Sequence, residues 1–320
     1  MIVVSEALHP DAWTHLTQHA PTYGGLVGEA DWWQDRDTLK QKLENAKALI
    51  VRNQTQVNED LLVAAPSLKV VGRVGVGLDN LEQTALQARN IMATWAPGTN
   101  AASVAEYVLG TMLELSRRFS YNTSKVQAGH WDRQGGRGIE VLGKTLGIIG
   151  LGDIGTRLAK RAQAFGMTVI AHDPVLHASS FAVQEYGILL HSLEDVLARS
   201  DYLSLHAPLL PSTKHLINAQ TLEMMKPSGI LINTSRGGLV DERALAQALA
   251  DGKLSGAALD VREQEPPTQP DPLAEFDNVI LTPHVAGVTF EASRRTSMHV
   301  VEDVLRVLNG ERPMSPVPGF

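Results

Sequence analysis

The sequence predicts an α/β protein of two domains, each a parallel sheet flanked by helices. Three observations lead there. The 320 residues exceed the usual size of one compact domain. Short β-branched runs alternate with amphipathic stretches along most of the chain, the pattern of strands joined by crossover helices. Six apolar runs beyond residue 145 match the strand count of a doubly wound sheet.

Taken in order, Ile2-Val3-Val4 reads as an opening strand, followed by strands at 48–51 and 70–74 and helices around 58–64 and 81–89. Trp95-Ala96-Pro97-Gly98 is a natural exit from a domain, and residues 100–127 carry apolar side chains at helical spacing, one long helix, continuous or broken. The second series of strands falls at 146–149, 168–171, 202–205, 230–233, 256–259 and 279–281. After His284-Val285-Ala286-Gly287, residues 291–309 have helical periodicity and stop at Gly310, a C-cap residue. A domain at 98–287 is therefore expected to be inserted into one built from 1–97 and 288–320.

Composition excludes several function classes. With 43% hydrophobic and 20% charged residues the chain reads as soluble and globular. No stretch approaches the roughly 18 apolar residues of a membrane span. The start lacks a basic lead and a cleavage pattern, so a cytoplasmic protein is expected. The absence of cysteine excludes disulfides, thiolate metal sites and thiol catalysis. A net charge of −7 without a basic run leaves no footprint for nucleic acid. Anionic ligands must be held by local groups.

Gly150-Leu151-Gly152-Asp153-Ile154-Gly155 follows one apolar strand and opens a helix over 156–165. That order has a physical reason. Gly150 permits the tight turn, Gly152 lets backbone approach a pyrophosphate, and Gly155 lets helix pack closely on strand, with the helix N-terminus facing the negative charge. Alone the motif is weak, but 18 residues after Gly155 the next strand ends at Asp173, whose carboxylate can accept both ribose hydroxyls. The same charge repels a 2′-phosphate, and Pro174-Val175-Leu176 supplies no arginine for one, so NAD is expected as cofactor on a Rossmann-type domain.

Three further segments place a polar residue after an apolar strand, where open α/β sheets bind ligands. They are Asn233-Thr234-Ser235-Arg236-Gly237-Gly238, Asp260-Val261-Arg262-Glu263-Gln264-Glu265-Pro266-Pro267, and Thr282-Pro283-His284. Through them, residues 100–287 resemble the D-isomer-specific 2-hydroxyacid dehydrogenase family, most of all its D-3-phosphoglycerate dehydrogenases. The resemblance implies a catalytic set of Arg236, Glu265 and His284. Arg236 can fork onto a carboxylate and the neighbouring carbonyl. His284 can exchange a proton with that oxygen near its ordinary pKa, and Glu265 can orient the ring and stabilise its charged form. Singly each has a bland reading, as a surface arginine, a loop acid or a strand-end histidine; it is the combination that carries the inference. Glu263 competes with Glu265, which sits against Pro266 as the family pattern requires; formate dehydrogenases of the superfamily have glutamine there.

The resemblance also implies cofactor contacts at the Asp153-Ile154 backbone, His206-Ala207-Pro208, Thr234, Ser235, Arg236, Asp260, His284 and Gly287. It implies a flavodoxin-like substrate domain whose glycine turn, Arg73-Val74-Gly75-Val76-Gly77, can form an anion nest. Arg52 and Arg73 end first-domain strands and match phosphoglycerate dehydrogenase arginines, so with Arg236 they imply a small acid bearing a second anionic group. The active cleft is expected between the domains, and the segment after Asn100 resembles the family's dimerisation arm, implying a homodimer. No regulatory domain is expected after the last helix. His9, His15, His19, His130, His172, His177, His191, His215 and His299 lack a comparable context, no pair has metal spacing, and Trp13, Trp32 and Trp33 have no assigned role. Two rivals remain: a glyoxylate or hydroxypyruvate reductase sharing the same site, and an NAD-sensing corepressor-like binding protein.

Overall fold

The computed structural model describes residues 1–28, 32–267 and 269–320 and divides into two compact units, Met1–Asn100 with Val288–Phe320, and Ala101–Gly287. The first unit holds strands β1 (Ile2–Val4), β2 (Leu26–Gly28), β3 (Ala48–Val51), β4 (Val70–Arg73) and β5 (Met92–Thr94). Its early helices are α1 (Pro10–His19), α2 (Arg36–Leu43), α3 (Glu59–Val63) and α4 (Gln83–Ala88). The strands are all parallel in the order β2-β1-β3-β4-β5, the flavodoxin-like arrangement.

The second unit opens with α5 (Ala101–Arg117) and α6 (Phe119–Gln127). Then come β6 (Thr145–Ile149), α7 (Asp153–Ala164), β7 (Thr168–His172), α8 (Phe181–Tyr186), β8 (Leu189–Leu190), α9 (Leu193–Arg199) and β9 (Tyr202–Leu205). The unit continues with α10 (Ala219–Met224), β10 (Ile230–Asn233), α11 (Glu242–Ala250), β11 (Gly256–Leu259) and β12 (Val279–Leu281). Its parallel sheet runs β12-β11-β10-β9-β6-β7-β8, so the winding reverses between β6 and β9 as in a Rossmann sheet. The last helix, α12 (Phe290–Leu308), returns to the first unit.

Strands buried on both faces read as continuous apolar runs because helices cover each side. In the first unit Ile2, Val4, Ile50 and Val70 pack with Ala12 and Leu16 of α1 and Val300, Val301 and Val304 of α12. Val3, Leu49, Val51 and Val71 point to the other face, against Leu39 and Leu43 of α2 and Leu61 and Leu62 of α3. In the second unit Leu146 and Ile148 pack on Val108 and Met112 of α5 and Leu158 and Ala162 of α7, while Leu203, Leu205 and Leu231 face α9, α10 and α11.

The structure adds to or refines the sequence expectation in three places. Strands β2, β5 and β8 were not anticipated; they are two or three residues long, too short for a period to show. The expected helix over 100–127 is two helices, because Arg118 takes a left-handed conformation at φ 54° and starts α6 anew. Neither glycine nor proline marks that break. The last helix begins one residue earlier than expected, and Gly310 follows it at φ 81°.

Candidate active site

At the β6 end, Gly150 adopts φ 91°, and a Cβ there would lie 2.6 Å from the carbonyl oxygen of His206, the residue after β9. The His206 N–H in turn donates to Ile149 O at 2.7 Å. The two chain segments thus part at the reversal point, where this class of sheet binds its ligand. A Cβ on Gly155 would meet Gly150 O at 2.4 Å, so α7 lies tight on the turn, whereas a Cβ on Gly152 would meet nothing within 4 Å. Gly152 caps α7 without a side chain, leaving the first N–H groups of the helix, among them those of Asp153 and Ile154, without a side-chain cap.

Asp173 follows β7. Its Oδ2 accepts from Leu151 N at 2.9 Å, and its Oδ1 accepts from Val175 N at 2.9 Å and Leu176 N at 3.1 Å. A carboxylate has about four acceptor positions, so a further one remains on Oδ2 for a ribose hydroxyl. The bond to Leu151 also fixes the acid against the fingerprint turn. His206 Nε2 pairs with Ser204 Oγ at 2.9 Å, and desolvation pushes the ring down to about 3, so it stays neutral. Its Nδ1 and the hydroxyl of Thr234 are buried polar atoms without a partner in the protein. Such atoms are costly unless a ligand meets them. Both lie just beyond the ends of neighbouring strands β9 and β10, among the residues that the sequence assigns to the dinucleotide, and the fit to NAD is good. Ser235 Oγ instead braces Leu205 O at 2.7 Å, and Ala207 and Pro208 continue the chain after His206.

The acid and histidine meet beyond the ends of β11 and β12, at the same sheet edge but toward the other end of the strand order. His284 Nδ1 lies 2.9 Å from Glu265 Oε2, and Glu265 Oε1 accepts from Arg262 N at 3.0 Å. Glu263 is directed elsewhere, with Oε1 on His215 Nε2 and Oε2 receiving the Glu242 N–H at 3.4 Å. The bond to Glu265 raises the His284 imidazole above its ordinary value. Burial and the Arg236 charge oppose the rise, and the carboxylates of Glu265 and Asp260 add to it. Burial pulls the Glu265 carboxyl upward, but hydrogen bonds from His284 and the Arg262 N–H, with the charges of His284 and Arg236, hold it below the usual glutamate range. With Nδ1 occupied, Nε2 is the atom left for proton exchange.

His284 sits at φ 56°, a conformation that costs energy outside glycine and persists only where surroundings enforce it. Asp260 enforces it. The carboxylate of this buried residue accepts from Thr282 Oγ1 at 2.6 Å, Val285 N at 2.7 Å and Ala286 N at 2.8 Å, while its carbonyl accepts His284 N at 2.8 Å. Tyr107 OH lies 2.5 Å from Thr282 Oγ1 and, with the threonine proton committed to Asp260, donates to it. Asp260, implied as a cofactor contact, also clamps the His284 turn, and Gly287 closes the unit soon after it. Asn233, unassigned from sequence, shapes the arginine loop: Nδ2 donates to Arg236 O at 2.9 Å and Oδ1 accepts from Ser235 N at 3.1 Å. Arg236 Nη1 donates to Ser235 O at 2.7 Å.

In the first unit the reversal point lies between β1 and β3. There the buried Glu6 carboxylate accepts the N–H groups of Arg52, Gln54 and Thr55 at 2.9, 3.1 and 3.0 Å. Arg52 is half-buried, with Nη1 on Ala7 O at 3.3 Å. Arg73 is buried beneath the glycine turn, donating to Val74 O at 3.1 Å and Asn80 Oδ1 at 3.5 Å, and a Cβ on Gly75 would fall 1.5 Å from its Nη1. It therefore braces the turn that it was expected to serve as an outward arm. The nest is also smaller than expected. Val74 N is spent on Val51 O and Gly75 N on Arg73 O, which leaves the N–H groups of Val76 and Gly77.

A fingerprint turn at a sheet reversal, with an acid–histidine pair beyond the next strands, defines a dinucleotide-dependent oxidoreductase class of site. The chain belongs to the D-isomer-specific 2-hydroxyacid dehydrogenase family, whose NAD-binding domain model matches residues 109–286. It is 41% identical over 315 residues to the D-3-phosphoglycerate dehydrogenase of Methanocaldococcus jannaschii, covering 97% of this chain and 58% of that protein. The chain thus spans little more than half of that relative. It is 46% identical over 274 residues to the (S)-sulfolactate dehydrogenase of Chromohalobacter salexigens, covering 86% of this chain and 88% of that one. Among solved structures, the Aquifex aeolicus D-lactate dehydrogenase complexed with NAD and lactic acid superposes with a TM-score of 0.86 at 29% identity, covering all of both chains. Among the described residues no helix is long and apolar enough to cross a membrane, and no group of acid or histidine side chains could hold a metal ion.

Proposed function

We propose that the protein catalyses reversible hydride transfer between C2 of a small D-2-hydroxy acid and NAD. The observation that carries this reading is the 2.9 Å contact of Glu265 with His284 Nδ1, which frees Nε2 for the C2 oxygen. Gly150, Gly152, Gly155 and Asp173 would hold NAD, which supplies the hydride acceptor when bound. Arg236 binds the substrate carboxylate and polarises the C2–oxygen bond. On oxidation His284 removes the hydroxyl proton; on reduction its protonated form returns one. The charge of Asp173 favours NAD over NADP.

Arg52 is the candidate for a second anionic group, a phosphate, sulfonate or carboxylate, and Glu6 and Arg73 hold the loops around it. The 3-phosphoglycerate and sulfolactate of the relatives both bear such a group. The burial of Arg73 favours a second reading, a glyoxylate or hydroxypyruvate reductase, since it leaves one partly exposed arginine, Arg52, where two were expected. A homodimer through the segment of α5 and α6 is part of the proposal, supported by Phe119 and Val126 of α6 and by Trp131 just after it, which are 52%, 51% and 81% exposed.

NADH absorbance with 3-phosphoglycerate, sulfolactate, malate, glycerate, lactate, hydroxypyruvate and glyoxylate tests the substrate class. Doubly anionic acids are expected to turn over fastest, and Arg52→Ala to raise their KM while sparing lactate. Equal loss on all acids would remove Arg52 from specificity. No turnover despite NADH binding would bring forward the cofactor-sensing reading.

A further inference from the structure

The loop that carries Glu265 is fixed by an ion triad that the proton chemistry does not use. The Arg262 side chain is 8% exposed and donates Nε and Nη2 to the two oxygens of Glu242 at 3.0 and 2.8 Å. Its Nη1 and Nη2 also reach the two oxygens of Asp271 at 2.6 and 3.0 Å. Glu242 is the first residue of α11, and Asp271 caps the short 3₁₀ turn Pro272–Glu275 through Leu273 N. One guanidinium therefore pins the start of the loop to a helix and to the loop's own far end. Buried ion pairs add little stability compared with apolar packing, but a planar fork satisfied on both sides fixes geometry.

The backbone of Arg262 is held just as closely. Its N–H donates to Glu265 Oε1 at 3.0 Å, which orients the carboxylate so that Oε2 meets His284. On its other side, a Cβ on Gly237 would lie 1.8 Å from Arg262 C and 1.9 Å from its oxygen, so the loop after Arg236 packs directly on it. Glu263 N donates to Glu242 Oε1 at 2.7 Å and locks the next residue as well. We propose that Arg262 is a positioning residue for the Glu265–His284 pair, keeping the Glu265 carboxylate in register with His284 through its fork onto Glu242 and Asp271.

The activity part of the test rests on the dehydrogenase reading; a titration of His284 does not. Arg262→Lys keeps a positive charge between the two acids but cannot make four directed bonds, so the chain retains its fold and NADH binding. The charged groups bearing on His284 are Glu265, Asp260 and Arg236, all left in place. NMR titration of the His284 ring, assigned with His284→Ala, should show its pKa falling toward the ordinary histidine value in Arg262→Lys. Reduction kcat should fall on the order of tenfold, the scale of a sub-ångström misplacement, with the NADH Kd unchanged. The variant R262M/E242Q/D271N removes the triad without leaving an unpaired charge, and should show the same titration shift. If His284 titrates as in the wild type in either folded variant, the proposal is overturned. If the wild type turns over no acid, the function reading fails and the titration still decides the role of Arg262.

Discussion

The loop after β11 carries two glutamates, and each faces a histidine with a left-handed backbone. Glu265 meets His284 at φ 56°, and Glu263 meets His215 at φ 49°. By residue type, pairing and backbone the two contacts are alike. Their surroundings are not. His284 stands on a turn whose N–H groups converge on the buried Asp260, at the C-terminal edge of the sheet and with Arg236 close enough to lower its pKa. His215 is held by its own N–H on Gly238 O, on the connection between β9 and α10, and its partner acid spends the second oxygen on the start of α11. On the proposed reading, an acid–histidine pair serves proton transfer through what fixes it and what charge lies beside it. The pair alone is a brace.

The comparison is broken most directly at the histidines. His284→Ala is expected to lower kcat by roughly 10²- to 10⁴-fold, the range of a lost general acid or base, while NADH binding followed by fluorescence persists. Next in size is Glu265→Gln. Because the raised His284 pKa keeps the ring protonated to higher pH, kcat/KM for reduction should be flat at low pH and fall as pH rises through that value. Removing the carboxylate lowers the imidazole pKa, so the falling limb should move to lower pH, and kcat at neutral pH should drop about tenfold for each unit it has moved below the assay pH. A limb that stays in place in Glu265→Gln would transfer the acid role elsewhere, with Glu263 the first alternative. The smallest effect is expected from His215→Ala and Glu263→Gln, whose kcat should stay within a factor of about two and whose thermal midpoints should shift by only a few degrees, as for an exposed pair. Turnover lost in these variants and kept in Glu265→Gln would exchange the two pairs.

Much of the second unit was legible in the sequence because it rests on local rules. A buried parallel strand is a short apolar run, and the glycines of the fingerprint stand where backbone must approach backbone, as at Gly150 against His206 O. Asp173, Arg236, Glu265 and His284 were singled out for the related reason that residues following parallel strands share one sheet edge, and the Glu265–His284 contact could be anticipated there. The remainder depends on tertiary pairing. Arg262 reads as an ordinary charged loop residue, since Glu242 and Asp271 lie 20 and nine positions away. Asp260 reads as a ligand-facing acid until the N–H groups of residues 285 and 286 are seen to converge on it. Arg73 looked like a substrate arm for the same reason: sequence gives the strand end but not the direction of the side chain. The break at Arg118 has no glycine or proline to announce it, and β8 is two residues long.

The contact between Gly237 and Arg262 bears on how such a site can be re-engineered. With no room for a Cβ at 237 and the Arg262 carbonyl in that space, the segment from Arg236 to Glu242 and the segment from Asp260 to Asp271 interlock as one cassette. A chimera that imports only the second segment from a relative without arginine at 262 leaves the half-buried Glu242 without its cation. Loop exchange in this scaffold therefore has natural cut points before Arg236 and after Asp271, and libraries that vary the two segments together should return more folded members than libraries that vary either one alone.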